Sequence, residues 1–319
     1  MEKILVTGGA GFIGSNLVES LLKEGKQLVL FDSGFRVGFN NIQNIKDNVE
    51  IIKGDIRNYE DWKKIPNDCD FVFHLAAING TKYFYEIPHK VLDVNVNGVL
   101  NFVKWIENSN VKRFFFASSS EVYGFPKNFP TSELEPLMIP ESKNPRFSYS
   151  SSKIIGETIS INFAKELGID YTIGRFHNVY GPSMGFEHVM PEFIKKCVLN
   201  KTFTVQGNGK ESRSFCYISD AINAIKLISQ HINGRNEIFN IGTNEEVSIN
   251  QLIEVLEDIH ESKLKIKYID FENEGTRRRI PDISKITELG YRQTISLNEG
   301  LRLTYNWYKE YYLKNQSKD

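Results

Sequence analysis

The sequence has few cysteines, no surplus of either charge and no long apolar run, and each absence removes a class of protein. Its three cysteines, Cys69, Cys197 and Cys216, are widely separated and odd in number, which argues against a disulfide framework or a zinc site and for a reducing compartment. Lysine and arginine number 39 against 40 aspartates and glutamates. No global electrostatic term therefore draws the chain to nucleic acid or an anionic membrane, and neither is expected as a partner. The opening run Met1–Val6 meets glycine too soon to be a signal peptide or a membrane span, so a cytoplasmic location is expected. No internal repeat is visible, charge runs stop at pairs and the triplet Arg277–Arg279, and His177 and His188 lack metal partners at useful spacing. No metal is expected. What remains is an ordinary globular composition over 319 residues, 40% hydrophobic and 25% charged, enough for a large core and near the size at which a chain divides its interior.

The first half alternates short apolar runs with longer amphipathic patterns, the signature of βαβ units and a parallel sheet. Strands are predicted at Ile4–Thr7, Gln27–Asp32, Glu50–Lys53, Phe71–Leu75, Arg113–Ala117 and Asp170–Phe176, and helices at Phe12–Lys23, Lys90–Asn108 and Tyr149–Leu167. The strands are almost continuously apolar, as expected when helices cover both faces of the sheet. The pattern is less regular beyond residue 176. The expected architecture is α/β: a Rossmann-like, doubly wound parallel sheet over residues 1–176 and a smaller C-terminal α/β lobe over 177–319, with Ser214–Tyr217 and Phe239–Ile241 as short strands able to return to the first sheet.

Thr7–Gly14 follows the first strand directly and opens the first helix. Gly8, Gly9 and Gly11 allow a tight turn whose N–H groups can approach a pyrophosphate, and Gly14 allows the helix to pack closely on the strand. The helix N-terminus adds positive partial charge. Asp32 ends the second strand about 20 residues beyond the turn, where a carboxylate accepts from an adenosine ribose and repels a 2′-phosphate, which favours NAD over NADP. Arg36 is a counter-signal, since it is able to pair with that phosphate. Asp55, after the third strand, either holds adenine or caps a helix over Tyr59–Ile65.

Tyr149 and Lys153 stand four apart, on one face of a helix. The spacing recurs at Tyr59 and Lys63 and at Tyr305 and Lys309, so position must decide. Only the Tyr149 pair begins a helix just after the fifth strand, downstream of the hydroxyl-rich Ser118–Glu121 at that strand's C-terminal end, the edge at which such sheets bind ligands. A nearby ammonium and a cationic nicotinamide favour the phenolate, and Lys153 is expected to lower the pKa of Tyr149. A serine hydroxyl would hold the same substrate oxygen, so the group oxidises an alcohol by hydride transfer. His74 is expected to be a packed, hydrogen-bonded residue, and Tyr83, Phe84 and Tyr85 either line a pocket or close the core.

With these motifs, and with His74–Ala77, Asn95–Gly98, Ser118–Gly124, Arg175–Pro182, Arg213–Phe215 with Asp220, and Asp282–Lys285 in the same order, the chain resembles the extended short-chain dehydrogenase/reductase family of NAD-dependent sugar-nucleotide epimerases and dehydratases over nearly its whole length. The resemblance implies Ser119 as the catalytic hydroxyl beside Tyr149 and Lys153, with Ser120 and Glu121 at the auxiliary positions. It implies an NAD site formed by Gly8, Gly11, Phe12, Ile13, Gly14, Asp32, Asp55 and Ile56 at the adenosine side. Leu75, Ala76, Ala77, Asn95, Tyr149, Lys153 and Phe176 complete it. Asn178 would contact the sugar or phosphate of a nucleotide-diphosphate sugar, and Arg213 with Arg277 or Arg278 would grip its diphosphate, although Arg213 alone also suits a surface ion pair. The C-terminal lobe is then the nucleotide-sugar lobe, and the helices Lys90–Asn108 and Tyr149–Leu167 would pair in a homodimer.

The expected reaction is oxidation at C4 of the sugar to a ketone, followed by epimerisation. A 4,6-dehydratase of this kind carries an Asp-Glu pair where this chain has Ser120 and Glu121, which disfavours dehydration. A UDP-glucuronate decarboxylase is the nearer alternative, because the hydroxyl-hydroxyl-Glu series and Pro145-Arg146-Phe147-Ser148-Tyr149 echo that group, whereas simple epimerases have small residues in place of Glu121. Net oxidation with release of the 4-ketosugar is a further alternative. Glu272 and Glu274 either select a different sugar or nucleotide or lie in a solvated loop. A non-catalytic NAD(H) sensor or scaffold is disfavoured, because it needs none of Ser119, Tyr149 and Lys153.

Overall fold

A computed structural model describes residues 2–186, 188–270 and 278–315. Six strands and five helices build the first half in the order β1 (Lys3–Thr7), α1 (Phe12–Lys23), β2 (Gln27–Asp32), β3 (Glu50–Lys53), α2 (Tyr59–Trp62), β4 (Phe71–His74), α3 (Thr81–Glu86), α4 (Pro88–Ile106), β5 (Arg113–Ser119), α5 (Ser148–Leu167) and β6 (Asp170–Phe176). A last strand, Glu237–Ile241, joins the edge beside β6, giving a seven-stranded parallel sheet of order Glu237–Ile241, β6, β5, β4, β1, β2, β3.

The predicted strands and helices recur within two residues at each end. β5 runs beyond Ala117 because Ser118 and Ser119 continue the ladder opposite Arg175 and Phe176; backbone pairing carries the strand past the end of its apolar run. α4 begins at Pro88 rather than Lys90, since proline has no N–H to lose in a first helical turn. The expected return of Ser214–Tyr217 to the main sheet does not occur: Cys216–Tyr217 pairs instead with Val179–Tyr180 in a separate two-stranded ribbon.

Both sheet faces are covered, which explains the unbroken apolar strands. Alternating side chains of β5 send Phe114 and Phe116 into one core with Trp62 and Phe102, and Phe115 into the other with Phe73 and, from the second half of the chain, Tyr180, Phe193, Leu252 and Tyr308. α5 lies close on β5 because Gly156 has no side chain; a Cβ there would sit 2.6 Å from the Phe116 ring. That contact sets the height of Tyr149 and Lys153 above the C-terminal ends of β4 and β5. Around the second half, Ser212–Arg213 is paired on one side with Val247–Ser248 and on the other with Arg278–Arg279, and Phe203–Gln206 pairs with Ile266–Ile269.

Candidate active site

A cavity of about 1010 Å3 opens at the C-terminal ends of the parallel strands, where the order reverses between β1 and β4. Its floor is the glycine turn. Gly8 has φ +71°, and a Cβ on it would lie 2.8 Å from the Ala76 backbone nitrogen, while one on Gly14 would overlap the Gly8 carbonyl oxygen. The turn, the start of α1 and the segment Leu75–Ala77 are thus packed backbone to backbone, leaving a cradle that only glycine permits. Asp32 lines the cavity and locks its two loops together, its Oδ2 accepting from Ala10 N at 3.0 Å and its Oδ1 from Gly34 N at 2.8 Å. Burial raises its pKa, opposed by those N–H groups. The cradle, the helix N-terminus and a carboxylate at the end of β2 fit a dinucleotide with a free 2′-hydroxyl.

Gly8, Gly11, Phe12, Ile13, Gly14, Ile56, Leu75, Ala76, Ala77 and Phe176 line the same cavity. Asp55 lines it too, but its carboxylate is held by Arg57 at 2.6 Å, which also binds Asp93 at 2.8 Å; that pairing holds its carboxyl below the usual range. Asp55 does not cap α2, because Asn58 does so, accepting from Glu60 N. Asn95 stands behind the cavity. It is buried outside the cavity wall, and its amide is spent on Ile78 N, Ile78 O and Ser152 Oγ at 2.8, 3.2 and 3.0 Å. It positions the loop after β4, whose residues Leu75 to Thr81 line the cavity. Arg36 reaches across the cavity to within 3.3 Å of His188 Nε2.

Tyr149 is the second residue of α5 and is 5% exposed, its ring stacked on Phe84 at 5.0 Å. Phe84 lines the cavity and is also part of the core beneath it, so both readings of the aromatic triplet hold for this member. The Ser119 hydroxyl accepts from Glu121 N at 3.2 Å, which leaves its proton for the phenol oxygen. Burial pushes the Tyr149 pKa up, and the hydrogen bond from Ser119 is the strongest influence pulling it back. Burial also brings Lys153 down to about 7, and its Nζ donates to Ala117 O at 2.7 Å. Lys153 Nζ stands 5.8 Å from the centre of the Tyr149 ring, on the side of the β5 carbonyl it binds.

Glu121 sits in the short helical turn after β5, with Ser120 buried beside it. Burial opposes its charge, yet Arg279, Arg146 and Arg213 overcome that and hold its carboxyl below the usual range. Arg279 Nη1 donates to it at 2.6 Å and Arg146 Nη2 stands at 3.8 Å. Arg213 and Arg279 are register partners on neighbouring parallel strands, and both line the cavity. Burial and the adjacent Arg279 push Arg213 down to about 10, against the pull of Glu121 and Glu211. Arg278, expected at the diphosphate, faces the other way and forms a two-point bond with Glu246 at 2.8 Å. Strand alternation explains this: Arg278 and Arg279 must point to opposite faces. Arg277, Glu272 and Glu274 lie outside the described residues. Asn178 lines the cavity at φ 38°, its Nδ2 donating to Ser214 O at 2.9 Å.

Sequence reasoning did not assign Arg146 or Arg279 to the site. Both were visible as residues, in the Pro145-Arg146 echo and in the arginine triplet, but their convergence on Glu121 needs the tertiary fold. Behind the site, Glu157 forms a buried bidentate pair with Arg175, at 2.9 and 2.7 Å, and accepts from Ser118. His74 is the packed residue expected, stacked on Phe102 at 4.5 Å with Nδ1 3.0 Å from Thr7 Oγ1; burial lowers it to about 3. Among the described residues there is no group of three metal-ligating side chains, and no helix is long and apolar enough to cross a membrane.

A dinucleotide cradle at the switch point of a parallel sheet, with serine, tyrosine and lysine at its inner end, defines a Rossmann-fold enzyme of the short-chain dehydrogenase/reductase type. The chain belongs to the NAD dependent epimerase/dehydratase family, whose model matches residues 4–242. It is 33% identical to the UDP-N-acetyl-alpha-D-glucosaminuronate decarboxylase of Bacillus cytotoxicus, over 97% of this chain and 98% of that protein. Among solved structures, UDP-glucuronic acid 4-epimerase from Bacillus cereus, in complex with UDP-glucuronic acid and NAD, superposes with a TM-score of 0.89 at 31% identity, covering 97% of this chain and all of the other. UDP-glucose 4-epimerase from Thermotoga maritima gives 0.87 at 31% identity, covering 97% and 99%.

Proposed function

We propose that the protein oxidises C4 of a nucleotide-diphosphate sugar and returns the hydride to the opposite face of the ketone, as a 4-epimerase. The observation that carries this reading is the meeting of Ser119 and Tyr149 at the inner end of a cavity whose outer wall holds Arg213 and Arg279. The arginine pair suits a diphosphate, and the sugar then reaches the phenol. NAD, when bound, supplies the hydride acceptor and later the donor. Tyr149 Oη takes the proton of the C4 hydroxyl as the C4–H bond breaks, Ser119 holds the same oxygen, and the proton returns to it when the hydride does. Lys153, charged below a pKa of about 7, offers its ammonium to the phenolate side of that exchange.

Dehydration fits less well, because elimination needs a proton donor and Glu121 is held ionised by its arginines. Decarboxylation of a nucleotide-diphosphate uronic acid is the second reading. It is favoured by the placing of Glu121 between Arg279 and Arg146 within reach of the catalytic pair, and by the name of the Bacillus cytotoxicus relative. We also read residues 177–319 as mainly the nucleotide-sugar lobe and the protein as a cytoplasmic homodimer. The exposed Leu92 and Leu100 of α4 and Ile155 of α5 support that pairing. Incubation with a panel of UDP-, GDP-, CDP- and dTDP-sugars, followed by NMR of the products, tests the reading. A C4 epimer with no net NADH is expected; carbon dioxide release selects decarboxylation, and neither product with any sugar contradicts both.

A further inference from the structure

Glu211 is a charged residue of the cavity that has no task in the proposed reaction. Glu211 lines the cavity with Val205, Gln206 and Ile249, and its Oε2 is buried with no hydrogen-bond partner among the described residues. A buried carboxylate oxygen left unpaired is costly, which is consistent with a donor that arrives with a ligand. Glu211 immediately precedes the strand Ser212–Arg213, and its carbonyl accepts from Ile249 N at 3.0 Å. In extended chain, residues two apart share a face at a separation of about 6.6 Å. Glu211 and Arg213 thus project into the same cavity, while Ser212 turns away to Glu246.

We propose that Glu211 binds the ribose diol of the substrate nucleotide and selects ribonucleotide sugars against their 2′-deoxy counterparts. This rests on the nucleotide-diphosphate reading. With the diphosphate on Arg213 and Arg279 and the sugar toward Tyr149, the next group outward is the ribose, whichever base follows. A carboxylate only accepts hydrogen bonds, so it suits two adjacent hydroxyls. Its charge also acts on Arg213, so the carboxylate and the guanidinium are neighbours in that wall and the cation offsets its repulsion of the phosphates. Asp32 is placed for the same task on the adenosine ribose at the other end of the cavity.

The NAD-loaded protein, its Glu211→Ala variant and the isosteric Glu211→Gln variant are titrated calorimetrically with UDP, CDP and GDP and with the 2′-deoxy form of each. The parent should bind its preferred ribonucleotide about tenfold more tightly than the 2′-deoxy form. Glu211→Ala should erase the difference by weakening the ribonucleotide alone, and Glu211→Gln should narrow it, which carries the test should the alanine variant not fold. Equal binding of both forms by the parent, or an unchanged ratio in the variants, overturns the proposal while leaving the nucleotide reading intact. A variant that alters only the preference among bases also overturns it, assigning Glu211 to a base amino group. Failure of every nucleotide to bind overturns both.

Discussion

Arg279 and Glu121, 158 positions apart in sequence, meet at 2.6 Å in the wall of the cavity. The pair joins the turn after β5 to the strand Arg278–Arg279, and the parallel register of Arg279 with Arg213 places two guanidinium groups side by side. Two like charges so close need anions nearby, and Glu121 acts on both guanidinium groups while Glu211 acts on Arg213.

Arg279→Met should therefore act on both binding and stability. It removes a phosphate donor and leaves Glu121 with weaker partners. We expect KM for the nucleotide sugar to rise about tenfold, with a stability loss of about 2 kcal/mol, less than for a fully dry pair because Glu121 retains some exposure. Steady-state kinetics and urea titration measure the two; a parent-like KM contradicts the phosphate role.

Gly14→Ala tests the cradle. The added methyl would overlap the Gly8 carbonyl, so α1 must move from the turn. NAD affinity should fall at least about tenfold, with roughly 1–3 kcal/mol of stability lost. Tight NAD binding by a normally folded variant contradicts the packing argument.

Asp32→Ala should weaken NAD and narrow the preference over NADP, because it removes both the ribose acceptor and the charge that repels a 2′-phosphate. It also frees Ala10 N and Gly34 N. An unchanged ratio of the two cofactor affinities contradicts the assignment.

The fold was legible because its signals are local. Phe12–Lys23 and Gln27–Asp32 have the observed ends, since the glycines of the turn and the apolar runs fix them without reference to distant residues. Tyr149 and Lys153 were legible by position on the first turns of a helix. The arginines were not. Arg278 was expected at the diphosphate and Arg279 was passed over, because only strand pairing shows that the two face opposite ways, and nothing local marks the hydrogen bonds of Asn95 to Ile78 and Ser152. Residues whose role depends on which long-range neighbour they face carry no local mark of it.

His74 and His177 predict the acid limb of stability. Burial lowers each to about 3, below the 6.5 of an exposed imidazole, so the unfolded chain binds more protons between those values. Stability should be fully retained above pH 6.5 and decline as the pH falls, by about 1.4 kcal/mol per pH unit for each histidine. Urea titrations of the parent and of His74→Gln between pH 7 and pH 4 should show a shallower decline in the variant; equal slopes contradict the neutral, buried state.

The most direct test is Tyr149→Phe, which removes the phenol oxygen and keeps the ring that stacks on Phe84. Absorbance of the reduced nicotinamide is followed in a single turnover with the NAD-loaded variant and the active nucleotide sugar. The account predicts hydride transfer slowed by at least 10²-fold, with NAD affinity close to that of the parent. Reduction at the parent rate would contradict it.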